Sequence, residues 1–197
     1  LFWCLIYVRS LDLWRSLLKQ LLDSSELKKC HVIMKLDYDT WSRGAVTKFM
    51  KASILAVNLL KELEGWRDKP YKDSGGKCTI GWGHLIEAGE FCPDKITTEQ
   101  GERYLRDDIA EAERAIRSTV KVPLTQNQFD SLVSFIFNIG AGAWAMCDSL
   151  KILNNGEHHR MPARMMMWVK VTKNGVKVVE EGLINRRLKE VRVWQGE

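Results

Sequence analysis

Nowhere in its 197 residues does the chain carry a run of about 20 apolar side chains, the length that spans a bilayer. Residues 1–8 are apolar but halt at Arg9, with no basic segment before them, which makes a poor signal peptide as it stands. The chain begins with Leu rather than Met, so an exporting piece upstream stays open. No Lys/Arg run is dense enough to form a nucleic-acid groove, and no nucleic-acid partner is expected. Internal repeats and low-complexity tracts are missing. The five cysteines, Cys4, Cys30, Cys78, Cys92 and Cys147, lack the spacing of a metal site. Because five is odd, at least one is free or joined between chains. Cys78 and Cys92 could be bridged in an oxidising compartment, although separate reduced thiols are the simpler expectation for a protein made in a cytosol. His158 and His159 have no metal-ligand company and read as solvent-exposed loop residues; Met165, Met166 and Met167 read as core filler. No metal is expected.

What is present fits one globular domain with a short appendage. Hydrophobic residues make up 45% of the chain and charged ones 28%, which excludes a disordered chain. The net charge of +5 suits nucleic acid, an anionic membrane or an acidic wall polymer equally, and is only permissive.

Leu11, Trp14, Leu17, Leu18, Leu21 and Leu22 recur at helical spacing, with Arg15, Lys19, Gln20 and Asp23 off that face. Three readings stand for residues 1–49: a membrane or partner contact through residues 11–29, a helix packed on the domain behind it, or sequence that is not native, with Met50 as the start. Residues 35–48 read as linker. The domain proper is taken as residues 50–197, with Ser53 capping its first helix.

That helix runs from about Ser53 to Leu63 and stops at Gly65. Pro70, Gly75, Gly76, Gly81 and Gly83 then punctuate a small antiparallel sheet between Tyr71 and Ile86. After a loop, Thr97 or Thr98 caps a long helix over residues 99–119, solvated on one face, that joins a small lobe to a large one. Thr125 opens the most apolar helix, whose Phe129, Leu132, Val133, Phe135, Ile136 and Phe137 predict the centre of the large lobe. Helices near 149–154 and 162–169, a turn at Asn174-Gly175 and a closing helix over 183–193 complete an α+β, mostly helical chain.

The stretch around which these elements are organised runs from Glu64 to His84. Glu64 closes a helix, Asp73 enters a turn and Thr79 leaves it, so all three can face one cleft. Two carboxylates on different elements are what glycosidic hydrolysis requires. Glu64-Gly65, Tyr71-Lys72-Asp73 and Thr79-Ile80-Gly81-Trp82-Gly83-His84 resemble the signature of the phage-type lysozymes, the endolysin muramidases of glycoside hydrolase family 24. Glu, eight residues, Asp, five residues, Thr is that family's catalytic spacing, and Glu64, Asp73 and Thr79 keep it. Phe137-Asn138-Ile139-Gly140 and the block from Gly182 to Arg187 resemble its later blocks, in its order. The resemblance covers roughly Ser53 to Trp194 and implies a two-lobed lysozyme-like fold around a cleft. Trp82 stands where the family commonly has Tyr, Cys78 before Thr79 is unusual, and residues 1–49 have no counterpart.

On this reading Glu64, desolvated by neighbours such as Trp66 or Tyr71, stays protonated to higher pH and acts as general acid. Asp73 activates or positions water on the opposite sugar face, and Thr79 holds the water or the Asp. The resemblance implies inversion, with carboxyl groups roughly 6.5–9.5 Å apart. It also implies that an arginine of the last block pairs with the acid, Arg186 matching more closely than Arg187. Asn138 lines the saccharide cleft or merely caps its helix before Gly140. His84 is assigned not to catalysis but to an ion pair with Asp108, or failing that Asp107. The implied activity is hydrolysis of the β-1,4 bond between N-acetylmuramic acid and N-acetylglucosamine in peptidoglycan, without a cofactor, by a monomer. It would be made in the bacterial host cytoplasm and act on the periplasmic wall by an export route the sequence leaves open. A lytic transglycosylase on the same fold and a non-catalytic wall-binding module are the alternatives.

Overall fold

Ser53 starts the first helix as the spacing predicts. Its Oγ accepts from the Leu55 N–H, and α1 runs Ile54–Glu64, ending at Gly65, whose N–H reaches the Lys61 carbonyl. The computed structural model describes residues 47–72, 78–86, 89–173 and 175–197. Asp73 and the amphipathic stretch 11–29 therefore lie outside the described residues.

Two acidic side chains from other helices fix the start of α1. Asp130 Oδ1 accepts from the Ser53 N–H at 2.9 Å and its Oδ2 takes the Ser53 hydroxyl. Glu113 Oε1 accepts from the Ala52 N–H at 2.7 Å, while Arg117 donates both to Glu113 and to the Met50 carbonyl. Carboxylates at a helix N-terminus satisfy donors that have no intrahelical partner. The packed part begins upstream of Met50: Thr47, in a 3-10 turn Thr47–Phe49, is buried and its hydroxyl donates to the Val122 carbonyl.

Three antiparallel strands follow, β1 (Arg67–Lys72), β2 (Cys78–Gly81) and β3 (His84–Leu85), with β2 in the centre. Tyr71 pairs with Thr79, and Thr79 in turn with Leu85. The sheet starts four residues earlier than expected, at Arg67 rather than Tyr71. Its small core is Ile80, Ile86 and Ile96, with Tyr104 packed against it.

α2 (Thr98–Thr119) begins at a capping box, Thr97 taking the Gln100 N–H and Gln100 answering to Thr97. Its 22 residues extend about 33 Å. Tyr104 reaches the sheet core, and Leu105, Ile109, Ala112 and Ile116 join the helical core, so one helix serves both lobes.

α3 (Gln126–Ile139), opened by a second capping box at Thr125, is buried from Phe129 to Ile136. Fully burying each large apolar side chain there is worth about 1.5–3 kcal/mol, which makes α3 the axis of the large lobe. Around it lie α4 (Ala141–Met146), α5 (Asp148–Asn154), α6 (Met161–Met165) and α7 (Glu181–Gln195). The hairpin β4 (Lys170–Lys173) and β5 (Val176–Val179) leads into α7. Among the described residues, no helix is long and apolar enough to cross a membrane.

Candidate active site

α1 ends at Glu64, and α7 sends Arg186 back to meet it. Arg186 Nη1 donates to Glu64 Oε1 at 2.5 Å, across 122 residues of sequence. The Glu64 side chain is 19% exposed and that of Arg186 is 7% exposed, so this contact is screened far less than a surface pair. The turn between β2 and β3 closes on the other carboxylate oxygen: a Cβ built on Gly83 would lie 2.8 Å from Glu64 Oε2. Gly83 has φ +76°, a conformation that L side chains rarely adopt, so one glycine supplies both the turn and the space.

Thr79, in the central strand, is 5% exposed, and its Oγ1 has no hydrogen-bond partner among the described residues. A buried hydroxyl left without a partner costs about 1–3 kcal/mol. His84, two strand positions from Ile86, puts Nδ1 3.0 and 2.9 Å from the Asp108 oxygens and stacks its ring on Tyr104 at 4.3 Å. The Asp108 hydrogen bond raises the His84 pKa above its ordinary value, against the opposing effect of burial. Beside this pair a cavity of about 150 Å³ opens, lined by Gly83, Leu85, Asp108, Glu111, Phe137 and Gly140.

Behind Arg186 stands a side chain the sequence reading missed. Glu190 is fully buried and accepts from Arg186 Nε at 3.1 Å, Arg187 Nη1 at 2.6 Å and Ser134 Oγ at 2.8 Å. Burial pushes its pKa up, opposed chiefly by Arg187 and Arg186. Burial likewise lowers Arg187 to about 10, which leaves it protonated at neutral pH. Arg187 also donates to Asn138 Oδ1, so Asn138 is held toward the last helix while Gly140 caps α3. Arginines three and four residues before a glutamate on one predicted helix are the signal that could have found it.

Two expectations need correcting. Cys78 and Cys92 form a disulfide and Cys147 is free. The loop after β3 folds back, the Ile96 N–H reaching the Asp68 carbonyl, and this return brings together sulfurs that sequence distance alone leaves apart. His158 is no idle loop residue, since its ring nitrogens lie 3.0 Å from the Gly156 carbonyl and 2.9 Å from that of Pro123. Among the described residues no cluster of three His, Cys, Asp or Glu could hold a metal.

The family pattern described as phage lysozyme matches residues 61–190, a span that takes in Glu64, Thr79, Arg186 and Glu190. The chain belongs to the phage lysozyme family. An endolysin of Acyrthosiphon pisum secondary endosymbiont phage 1 is 40% identical over 147 residues, covering 75% of this chain and 99% of that protein. The solved endolysin from Escherichia coli O157:H7 phage FAHEc1 superposes with a TM-score of 0.69 at 38% identity, over 74% of this chain and 94% of its own. The muramidase domain of SpmX from Asticaccaulis excentricus gives 0.67 at 37% identity, over 73% and 97%. The helical lobe, the small sheet and the cleft between them are thus those of the phage lysozyme fold.

Proposed function

We propose that this chain is a muramidase that hydrolyses the β-1,4 bond between N-acetylmuramic acid and N-acetylglucosamine in bacterial peptidoglycan. Membership of the phage lysozyme family supports the substrate class and the hydrolytic reaction. The observation that carries the mechanism is Glu64, poised at a helix end between Gly83 and the Arg186 guanidinium.

In the reaction, protonated Glu64 gives its proton to the glycosidic oxygen as the bond from the anomeric carbon breaks. Water adds to that carbon from the opposite face and passes its proton to Asp73, whose place rests on its spacing from Glu64 and Thr79. Thr79 Oγ1, buried and unpartnered among the described residues, orients that water or the Asp73 carboxylate. Once the proton has left, Glu64 is a carboxylate against Arg186, so the cation stabilises the charge that develops. Attack by an external water inverts the anomeric centre. The cavity beside Gly83 and Phe137 receives the saccharide, with Asn138 next to Phe137 on α3 and held by Arg187. The enzyme is made in the host cytoplasm, works as a monomer and acts on the host wall.

Clearing of a purified peptidoglycan suspension by the parent and by Glu64→Gln, with the fragments read by mass, tests this. Clearing by the parent alone, with reducing muramic ends, is expected. Anhydro ends would replace hydrolysis by transglycosylation, and equal clearing by both proteins would remove Glu64 from the acid role.

A further inference from the structure

The guanidinium of Arg186 has two carboxylate partners on different edges. Nη1 meets Glu64 at 2.5 Å, while Nε meets Glu190 at 3.1 Å and Nη2 reaches the Ser134 carbonyl at 3.3 Å. Glu190 also takes Arg187 Nη1 at 2.6 Å, and Arg187 in turn holds Asn138. One buried carboxylate thus anchors both arginines, one running to the acid and the other to the cleft residue on α3. We propose that Glu190 is a positioning residue, which aims Arg186 at Glu64 and offsets part of its charge there.

The charge argument is local. Arg186 and Arg187 on α7 bring two positive charges against Glu64 and Glu190, and α3 contributes only the neutral Ser131, Ser134 and Asn138. On α1, Lys61 is drawn to Glu102, and Glu62 is paired with Lys189 on the exposed side. From the sheet, Gly83 touches Glu64 and the next residue, His84, is bound to Asp108. Glu190 is therefore the one described carboxylate that shares Arg186 with the acid. A protonated Glu190 would leave two buried guanidinium charges without their shared carboxylate, so Arg187 and Arg186 oppose the rise that burial imposes on it. Without that charge, Arg186 acts on Glu64 alone and favours its ionised form, which cannot donate a proton.

The proposal rests on Glu64 being the acid, and the test separates the two readings. The parent, Glu64→Gln, Glu190→Gln, Glu190→Asp and Ser131→Ala are assayed for peptidoglycan clearing from pH 4.5 to 9. Each rate is taken relative to the parent, so that titration of the wall cancels. Glu190→Gln is expected to move the alkaline limb down by about one pH unit, giving roughly tenfold lower activity near pH 7 that recovers toward pH 5. Glu190→Asp, which keeps the charge but withdraws it from Arg186, is expected to move the limb by less. Ser131→Ala loses a hydroxyl that donates to the Glu190 carbonyl at 2.7 Å. It serves as the structural control, expected to lower the unfolding midpoint and leave the limb in place.

If Glu190→Gln does not fold, Glu190→Asp decides, and a limb identical to the parent's overturns the proposal. A uniform loss at every pH also overturns it, since that is what loosened packing alone would give. Full activity of Glu64→Gln brings down both readings. An inactive Glu64→Gln beside an unshifted Glu190→Gln brings down this one only.

Discussion

His84 Nδ1 and Asp108 Oδ2 lie 2.9 Å apart, tying the last strand of the small sheet to the middle of the long helix. Both side chains are mostly covered, and the Tyr104 ring stacks on the imidazole from the third side. The Asp108 hydrogen bond, with smaller help from Glu90 and Asp107, raises the folded His84 pKa above its unfolded value. A raised histidine pKa means the folded state holds the proton more tightly. The pair's stabilisation is therefore complete below the unfolded pKa, near 6.5, and is lost as pH climbs through the folded value. His84→Asn should cost about 1 kcal/mol near pH 6, with the gap from the parent closing as pH rises through the folded His84 value. Urea unfolding of both proteins across that range checks it, and a gap independent of pH would show that packing on Tyr104 is what counts.

Gly83→Ala is expected to cost more activity than stability. The positive φ alone makes the substitution unfavourable by roughly 1 kcal/mol. The new methyl would also sit 2.8 Å from Glu64 Oε2, and the carboxyl must move to admit it. A displacement on the order of 1 Å at the reacting group can reduce turnover about 100-fold. Wall clearing and thermal unfolding measured on the same preparation separate the two effects. Wild-type clearing by a folded Gly83→Ala protein would mean that Glu64 does not need its present position.

The Cys78–Cys92 disulfide closes a short loop, its ends 14 residues apart in sequence. Restricting the unfolded chain over a loop of that length is worth about 3 kcal/mol. The double variant Cys78→Ser with Cys92→Ser should lose about 2–3 kcal/mol against the oxidised parent and match the parent held in reductant. Urea midpoints with and without reductant test this. Equal midpoints would place that loop outside the cooperative unit.

These features were legible in the sequence to different degrees, and range along the chain explains why. The helices carrying Leu59, Ile109 and Phe129 announce themselves by period, and Ser53, Thr97 and Thr125 by local capping chemistry, all within a few residues. The meetings of Glu64 with Arg186 and of His84 with Asp108 were readable only because a family's spacing carried the long-range information. β1 escaped in part because its first half, Arg67-Asp68-Lys69-Pro70, has no apolar alternation and takes its shape from pairing with β2. The short helix over Ala141–Met146 is held by buried Trp144 rather than by propensity in an Ala/Gly stretch. The helix begun at Met161 was expected to reach Val169 but stops at Met165, where the Met167 and Trp168 N–H groups turn to the Arg164 and Met165 carbonyls three residues back and the chain enters the hairpin at Lys170. Glu190 was missed for the opposite reason, since a lone glutamate on a charged helix reads as solvated until α3 and α7 are packed together.

Thr79→Val separates function from stability most cleanly. Valine matches threonine in shape and β-branching, so the strand and its packing in the Ile80 core should persist. The change removes a buried hydroxyl that has no partner among the described residues, and so should leave stability unchanged or raise it by up to about 1 kcal/mol. Activity should move the other way, falling at least about tenfold, because in the proposed mechanism this hydroxyl orients the attacking water or Asp73. A folded Thr79→Val protein with parental clearing would show that the hydroxyl takes no part in the reaction. A variant both less stable and less active would instead mean that the hydroxyl has a structural partner, and the drop in clearing would then report a disturbed strand rather than a missing catalytic contact.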